Sequence, residues 1–437
     1  MAVERLSEID QQVLGSLGSP SRRYLLVMAV CAALIGVGAL AYLAMYFIGM
    51  GLTGLSVPVG WAVLITNFVF WIGIAHSGTL ISAILFLFRT SWRNAISRSA
   101  EAMTVIAVMT AGMFPLLHLG RPWVFFWLFP YPNWRHLWPN FKSPLVWDVV
   151  AVTTYFTVSL LFFYLGLIPD LATARDNSTG WCRRLYSALS LGWTGRYEQW
   201  RHYARGYVAL AALATPLVIS VHSVVSWDFA MSILPGWHTT IFAPYFVAGA
   251  IHSGLAMVIA LLAPLRKVLR LERIITMRHF ESMAQLMIFT GSVVGFAYAV
   301  EAFMSWYSAD IFERQFAWWR AFGSYWPLFW MMVIFNVVVP MSFFWKKART
   351  SLAWLAAAAI LVNIGMWLER FVIIVTSLSH GHLPSSWGLY APRLVEVLIT
   401  LMAFGFFFLL FLTFVKLLPS VAMNELKEQA VQRREEH

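Results

Sequence analysis

Charge is scarce in this sequence. Asp, Glu, Lys and Arg make up 12% of 437 residues, about half the share of a water-soluble domain. That scarcity excludes a soluble globular protein of this length, since hydrophobic residues fill 60% of the positions and the mean hydropathy is +0.70. Cysteine is nearly absent: Cys31 lies in the first apolar run and Cys182 in a basic loop. Two such residues exclude a disulfide framework and a cysteine-ligated iron–sulfur cluster within the chain. Residues 1–23 lack a small-residue cleavage site and are expected to form a retained cytoplasmic tail. The net charge of +11 does not indicate nucleic acid, because the basic residues sit in short loops between apolar runs.

Long hydrophobic runs are what the sequence has instead. A helix needs about 20 mostly apolar residues to cross a bilayer. Ten runs qualify, at approximately 24–49, 59–88, 99–119, 146–169, 206–233, 241–264, 281–306, 325–345, 351–376 and 394–417. The fifth contains Pro216, which a helix bundle tolerates. Of the 31 Lys and Arg residues, 24 fall in the two tails and the loops on their side, six in the opposite loops, and Arg370 lies inside a span. Positive charge collects on the cytoplasmic side, so both termini are expected there.

The spans contain an internal repeat. His76-Ser77-Gly78 in span 2 matches His252-Ser253-Gly254 in span 6. Arg98-Ser-Ala-Glu101-Ala-Met103 opening span 3 matches Arg278-His-Phe-Glu281-Ser-Met283 opening span 7, and Pro144-Leu-Val-Trp147 matches Pro327-Leu-Phe-Trp330. Each unit has an even number of spans, so the copies share one orientation and form a parallel repeat. The expected fold is therefore an all-α polytopic membrane protein of ten transmembrane helices. Two four-helix bundles, spans 2–5 and 6–9, are joined by peripheral spans 1 and 10. The division runs: tail 1–23, peripheral helix and loop 24–58, first bundle 59–233, second bundle 234–376, and last loop, helix and tail 377–437.

The copies differ in their polar residues. Asp148 follows Trp147 where Met331 follows Trp330, and His118 stands where the second copy has Tyr298. Ionisable groups inside spans are costly, by about 2.5–3.5 kcal/mol for Asp, Lys or Arg at mid-bilayer, and mark function or a paired contact. His118 closes span 3 and Asp148 opens span 4, at similar depth on the outward side. A neutral imidazole and a carboxylate there can accept the two hydroxyl protons of a quinol. They can equally lock the two spans together, and Asp148 can simply cap its helix. Arg121 shares the His118 face if the helix continues that far.

Further ionisable residues suit a proton path. Asp228 ends span 5, and Arg370 in span 9 requires a partner, for which Asp228 and Glu369 are the candidates. The group can relay protons or serve as a salt bridge between the bundles. Glu301 lies in the outer half of span 7, and His222 six residues before Asp228. His76 and His252 occur in both copies, which favours close helix packing, with a place on the proton path as the alternative. Glu101 and Glu281 read as helix-start carboxylates beside an arginine. His118 and His222 both lie toward the outer side, but no span carries the widely spaced histidine pair of a two-haem cytochrome, and no haem is expected. The outer loop 120–145, with Trp123, Trp127, Pro130, Pro132, Trp134, Trp138 and Pro139, is either an aromatic belt or a roof over a lipophilic pocket that docks an electron-transfer protein.

The His76-Ser-Gly span, the Arg98…Glu101-Ala-Met start, His118-Leu-Gly-Arg121-Pro-Trp123 and Trp147-Asp148 together resemble the NrfD/polysulfide-reductase membrane-subunit family. Within it, the ten-span quinol-oxidising member found in bacterial alternative complex III is most similar, over about residues 24–417. The resemblance implies two four-helix bundles in a bacterial inner membrane, without a bound haem or iron–sulfur cluster. It implies a menaquinol pocket in the first bundle near the periplasmic face, lined by His118 and Asp148, with Arg121, Trp123 and Trp147 around them. Electrons would pass to a periplasmic iron–sulfur subunit and on to c-type haem subunits, beside a homologous NrfD-like membrane subunit. Asp228 and Arg370 fall where such proteins have their polar relay. The alternatives are a secondary transporter or proton channel, and a structural anchor, the role of the paralogous membrane protein in the same kind of complex.

Overall fold

The computed structural model describes residues 2–128 and 141–435. Pro130, Pro132, Trp134, Trp138 and Pro139 of the aromatic loop lie outside the described residues. Those described form helices, turns and loops, with no strand among them. Ten helices are long and apolar enough to cross a membrane: Arg22–Ile48, Val63–Leu87, Ser97–His118, Pro144–Asp176, Tyr197–Ala230, Phe242–Val268, Met277–Tyr307, Trp326–Phe344, Leu352–Ser379 and Leu394–Leu417. They are numbered spans 1–10. The chain is an all-α, multi-pass membrane protein.

Several spans run past their hydropathic limits. Span 4 holds 33 residues and span 5 holds 34, because each helix continues into polar sequence. Among the described residues, four helices of ten residues or more lie outside the spans with no apolar run to announce them: Ala2–Gly15, Gly180–Leu189, Ile311–Phe322 and Met423–Glu435. Ile311–Phe322 begins where the Asp310 carboxylate accepts from the Phe312 and Glu313 amides at 2.8 and 3.3 Å. The helix Met423–Glu435 folds back against the bundle ends. Lys427 pairs with Asp10 at 2.6 Å and Glu425 with Arg93 at 2.7 Å, so the two tails meet on one side of the molecule.

In the first repeat unit span 3 packs on span 2, span 4 on spans 3 and 5, and span 5 returns to span 2. Spans 6–9 repeat these neighbours, while span 1 lies along span 10 outside both groups. The units meet through span 2 against span 6, and small residues set that distance. A Cβ on Gly254 would stand 2.3 Å from Ser77 Oγ and 2.7 Å from the Ile74 carbonyl. A Cβ on Gly78 would stand 2.0 Å from Thr104 Oγ1 and 2.2 Å from the Ala100 carbonyl. The repeated Ser-Gly therefore packs helices closely in both copies, against different partners. Span 2 makes a π-helical turn at Leu80–Ile84, one residue past this motif, and span 9 makes one at Val372–Thr376, one residue past Arg370.

Candidate functional site

Spans 4 and 5 run antiparallel, which brings the first turn of one beside the last turn of the other, on the side away from the chain termini. Pro144 starts span 4, where its missing N–H costs nothing, and sets Asp148 one turn in. Asp148 is buried and Asp228 half-buried. Their carboxyl groups come within hydrogen-bonding reach of each other. One oxygen of each, Oδ1, is buried without a hydrogen-bond partner. The preceding tryptophans meet as well: the Trp147 and Trp227 rings sit edge to face at 5.9 Å, with Trp147 Nε1 donating to the Phe141 carbonyl at 2.6 Å. A cavity of about 270 Å³ opens beside Trp227, lined also by His238, Thr239 and Met231.

His118 is the last residue of span 3, and its Nδ1 is buried without a partner. Among the described residues no hydrogen bond joins it to Asp148. Arg121 and Trp123 are exposed beyond the helix end, and Trp123 packs against Tyr46 of span 1 at 5.5 Å. The expected neighbours of Asp148 are thus rearranged: Asp228 is at its side.

The sequence left Arg370 two partners, Asp228 and Glu369, and the structure selects the second. Arg370 Nη1 lies 2.8 Å from Glu369 Oε1, and the guanidinium sits over the Phe246 ring at 4.2 Å. A bridge from Asp228 to Arg370 is not formed. Glu369 and Arg370, separated from the π turn by Phe371, therefore make one fully buried ion pair. Glu369 is held further by Tyr298, whose hydroxyl donates to it, and by Asn336 Nδ2 at 3.4 Å; Asn336 also donates to the Tyr298 hydroxyl at 3.0 Å. Tyr298 occupies the repeat position of His118. The second copy has exchanged its polar group there rather than lost it. The sequence pointed to Tyr298 only as the counterpart of His118 and did not point to Asn336, although a lone Asn in an apolar span is the signal that could have found it.

His76 and His222 meet in this buried region with ring centroids 4.4 Å apart. His76 Nδ1 lies 2.7 Å from the Ile72 carbonyl and so donates to it, while Nε2 and both nitrogens of His222 have no partner. The rings are in edge contact, which leaves no space for an iron and its macrocycle between them. His252 stands apart, its Nδ1 2.8 Å from Thr290 Oγ1. Glu301 pairs with Arg320 of the helix Ile311–Phe322 at 2.6 Å. At the terminal side Glu101 pairs with Arg98 at 2.6 Å, but Glu281 pairs with Arg349 at 2.9 Å rather than with Arg278. The repeat in sequence does not extend to that contact.

Among the described residues, ten apolar helices surround buried polar clusters at the far ends of spans 4 and 5, between the repeat units, and at the terminal side, where Arg98 pairs with Glu101 and Asp170; they define a multi-pass membrane protein with internal ionisable groups. The model of the NrfD polysulphide reductase family matches residues 51–380, and the chain belongs to that family. It is 24% identical to the Hdr-like menaquinol oxidoreductase integral membrane subunit of Archaeoglobus fulgidus over 432 residues, 94% of this chain and 97% of that one. It is 29% identical to a putative dimethyl sulfoxide reductase membrane subunit of Halobacterium salinarum over 249 residues, covering 56% of this chain and 52% of that relative, about half its length. A selenate reductase subunit of Mesobacillus selenatarsenatis is 20% identical over 396 residues, with coverage of 87% and 90%.

Proposed function

We propose that this chain is the quinol-oxidising membrane subunit of a multi-subunit oxidoreductase, with its reaction site at the Asp148–Asp228 pair. The observation that carries this reading is that pair. Two carboxyls side by side, each with a buried oxygen free, stand at the end of an apolar bundle, next in sequence to two tryptophans in contact, of which Trp227 borders an open cavity. Oxidation of a quinol releases two protons and two electrons. Asp148 as carboxylate takes the first hydroxyl proton, and Asp228 or the free His118 nitrogen takes the second. The tryptophan rings suit the flat headgroup. The electrons leave through a partner, since the residues here supply proton acceptors only.

The Archaeoglobus relative, a menaquinol oxidoreductase subunit that matches nearly the whole chain, supports menaquinol as the substrate. On this reading the far side is periplasmic and both termini are cytoplasmic in a bacterial inner membrane, as the basic residues indicate. The assembly resembles alternative complex III, with a periplasmic iron–sulfur subunit, c-type haem subunits and a second NrfD-like subunit as partners. Arg121, Trp123 and Trp147 border the quinol. The division at residues 59–233 and 234–376 then separates a quinol bundle from a proton-handling one. His76, His222, Arg370, Glu369 and Glu301, with His252 to one side, form the proton path.

The transporter alternative predicts helix breaks at matched positions of both copies. Span 2 has a π turn after its His-Ser-Gly, whereas its counterpart span 6 is one continuous helix, Phe242–Val268. That asymmetry favours the oxidoreductase reading. The test is quinol-dependent reduction of the intact complex carrying Asp148→Asn or His118→Ala. Loss of reduction with assembly preserved is expected, and full reduction in both variants would overturn the assignment.

A further inference from the structure

Span 7 ends at Tyr307, and the helix Ile311–Phe322 begins four residues later, on the side away from the chain termini. Two contacts fix the rotation of this amphipathic helix. Arg320 is buried and pairs with Glu301 of span 7 at 2.6 Å, and the Gly236 amide donates to Glu313 at 3.0 Å. Phe316 and Arg320 therefore face the protein. Ile311, Arg314, Trp318 and Phe322 follow at helical spacing on another face, and all four are exposed.

Arg314 is the one cation in that stripe. The acids near it are turned to other groups: Asp310 accepts from the Phe312 and Glu313 amides, Glu313 from Gly236, and Glu301 from Arg320. Among the described residues no carboxylate pairs with Arg314. A guanidinium in a row of aromatic and aliphatic side chains, without a counter-charge from the protein, is a site for an anion from outside it.

A groove of about 500 Å³ opens where this helix meets the end of span 7, lined by Ser305, Trp306, Arg314, Gln315, Trp318 and Phe322. It presents a guanidinium, an amide and a hydroxyl among aromatic rings, and tryptophans at a span end stand at headgroup level. Phe303, one turn deeper, touches Trp306 with ring centroids 6.0 Å apart. Phe296 and Phe289 continue from it at seven-residue steps, which keeps them on one face of span 7, and all three are more than half exposed. Head to tail this is the outline of a phospholipid. Arg binds a phosphate through two parallel N–H bonds, and the phenylalanine track leads from it into the hydrocarbon. With the nearby carboxylates engaged, an ammonium headgroup finds no partner here, so a net negative headgroup fits best.

We propose that this groove binds an anionic glycerophospholipid of the outer leaflet, with its phosphate on Arg314 and an acyl chain along Phe303, Phe296 and Phe289. The lipid holds the helix Ile311–Phe322 from the bilayer side, as Glu301 and Gly236 hold it from the protein side. Binding here does not depend on the quinol reading above.

The test uses the intact complex in phosphatidylcholine nanodiscs containing a small fraction of phosphatidylglycerol with a photoreactive diazirine in its acyl chain. The probe should label peptides within 289–306 and 314–322, and a phosphatidylcholine probe with the same chain should label them far less. Arg314→Gln should lower the labelling about ten-fold, the size of one lost charged hydrogen bond. Arg314 is exposed, so this variant should assemble. Ala317→Trp, which fills the groove and keeps the cation, should lower the labelling similarly. Equal labelling by the two probes, labelling unmoved by both substitutions, or a partner's acidic helix seated on Arg314 in a density map of the complex would overturn the proposal.

Discussion

The carboxyl groups of Asp148 and Asp228 face each other across the ends of spans 4 and 5, and among the described residues neither forms an ion pair. Without a neighbouring cation, such a pair can hold a proton between its members, with one carboxyl donating to the other. That is the property a site receiving two protons in succession needs.

The pair should behave as one unit. Asp148→Asn should slow quinol oxidation by about 10²–10⁴-fold, the usual contribution of a positioned base. Asp228→Asn should slow it less, and the double variant should be no worse than Asp148→Asn alone. Steady-state rates with a soluble quinol analogue measure all three. Multiplying effects would show that the two carboxyls act separately.

Arg370 is buried with Glu369, so removing one partner strands the other. Arg370→Met should destabilise the protein by about 3–5 kcal/mol, and adding Glu369→Gln should recover much of that loss. Thermal unfolding of the solubilised complex measures both. A single variant as stable as the parent would contradict the ion pair.

Glu369 also belongs to the proposed proton path, through Tyr298 and Asn336. Glu369→Gln should leave quinol oxidation within about three-fold of the parent, as expected of a group remote from the reacting atoms. On the proposal that this path carries protons beyond the two of each quinol, the variant should abolish that excess. Proteoliposomes with an enclosed pH dye read the ratio of protons to electrons, and an unchanged excess would remove Glu369 from the path.

Gly254→Ala places a methyl 2.3 Å from Ser77 Oγ, and Gly36→Ala places one in open space. The first should cost about 1–3 kcal/mol, as overpacking does, and the second should be neutral within about 0.5 kcal/mol. Thermal shift distinguishes them. Equal behaviour would mean that spans 2 and 6 are not held at the distance described.

The spans were legible because hydropathy is a local property, and the repeat because short motifs kept their order. The site was only partly legible. Asp148 and Asp228 were each marked by their place at a span end, but their pairing depends on the rotation of spans 4 and 5 about their axes, which packing sets. The sequence offered Arg370 both Asp228, through repeat symmetry, and its neighbour Glu369; the structure gives it Glu369, just before a π turn with no signature in the sequence. The Ile311–Phe322 helix read as a loop because it is amphipathic and short, yet it supplies Arg320 to Glu301.

A density map of the assembled, active complex with a bound menaquinol analogue tests the central claim most directly. The account predicts the headgroup between spans 3, 4 and 5, a hydroxyl within hydrogen-bonding distance of Asp148, and the partner protein that takes the electrons directly above it. An analogue that inhibits turnover while its headgroup lies away from Asp148, Asp228 and His118 would contradict it.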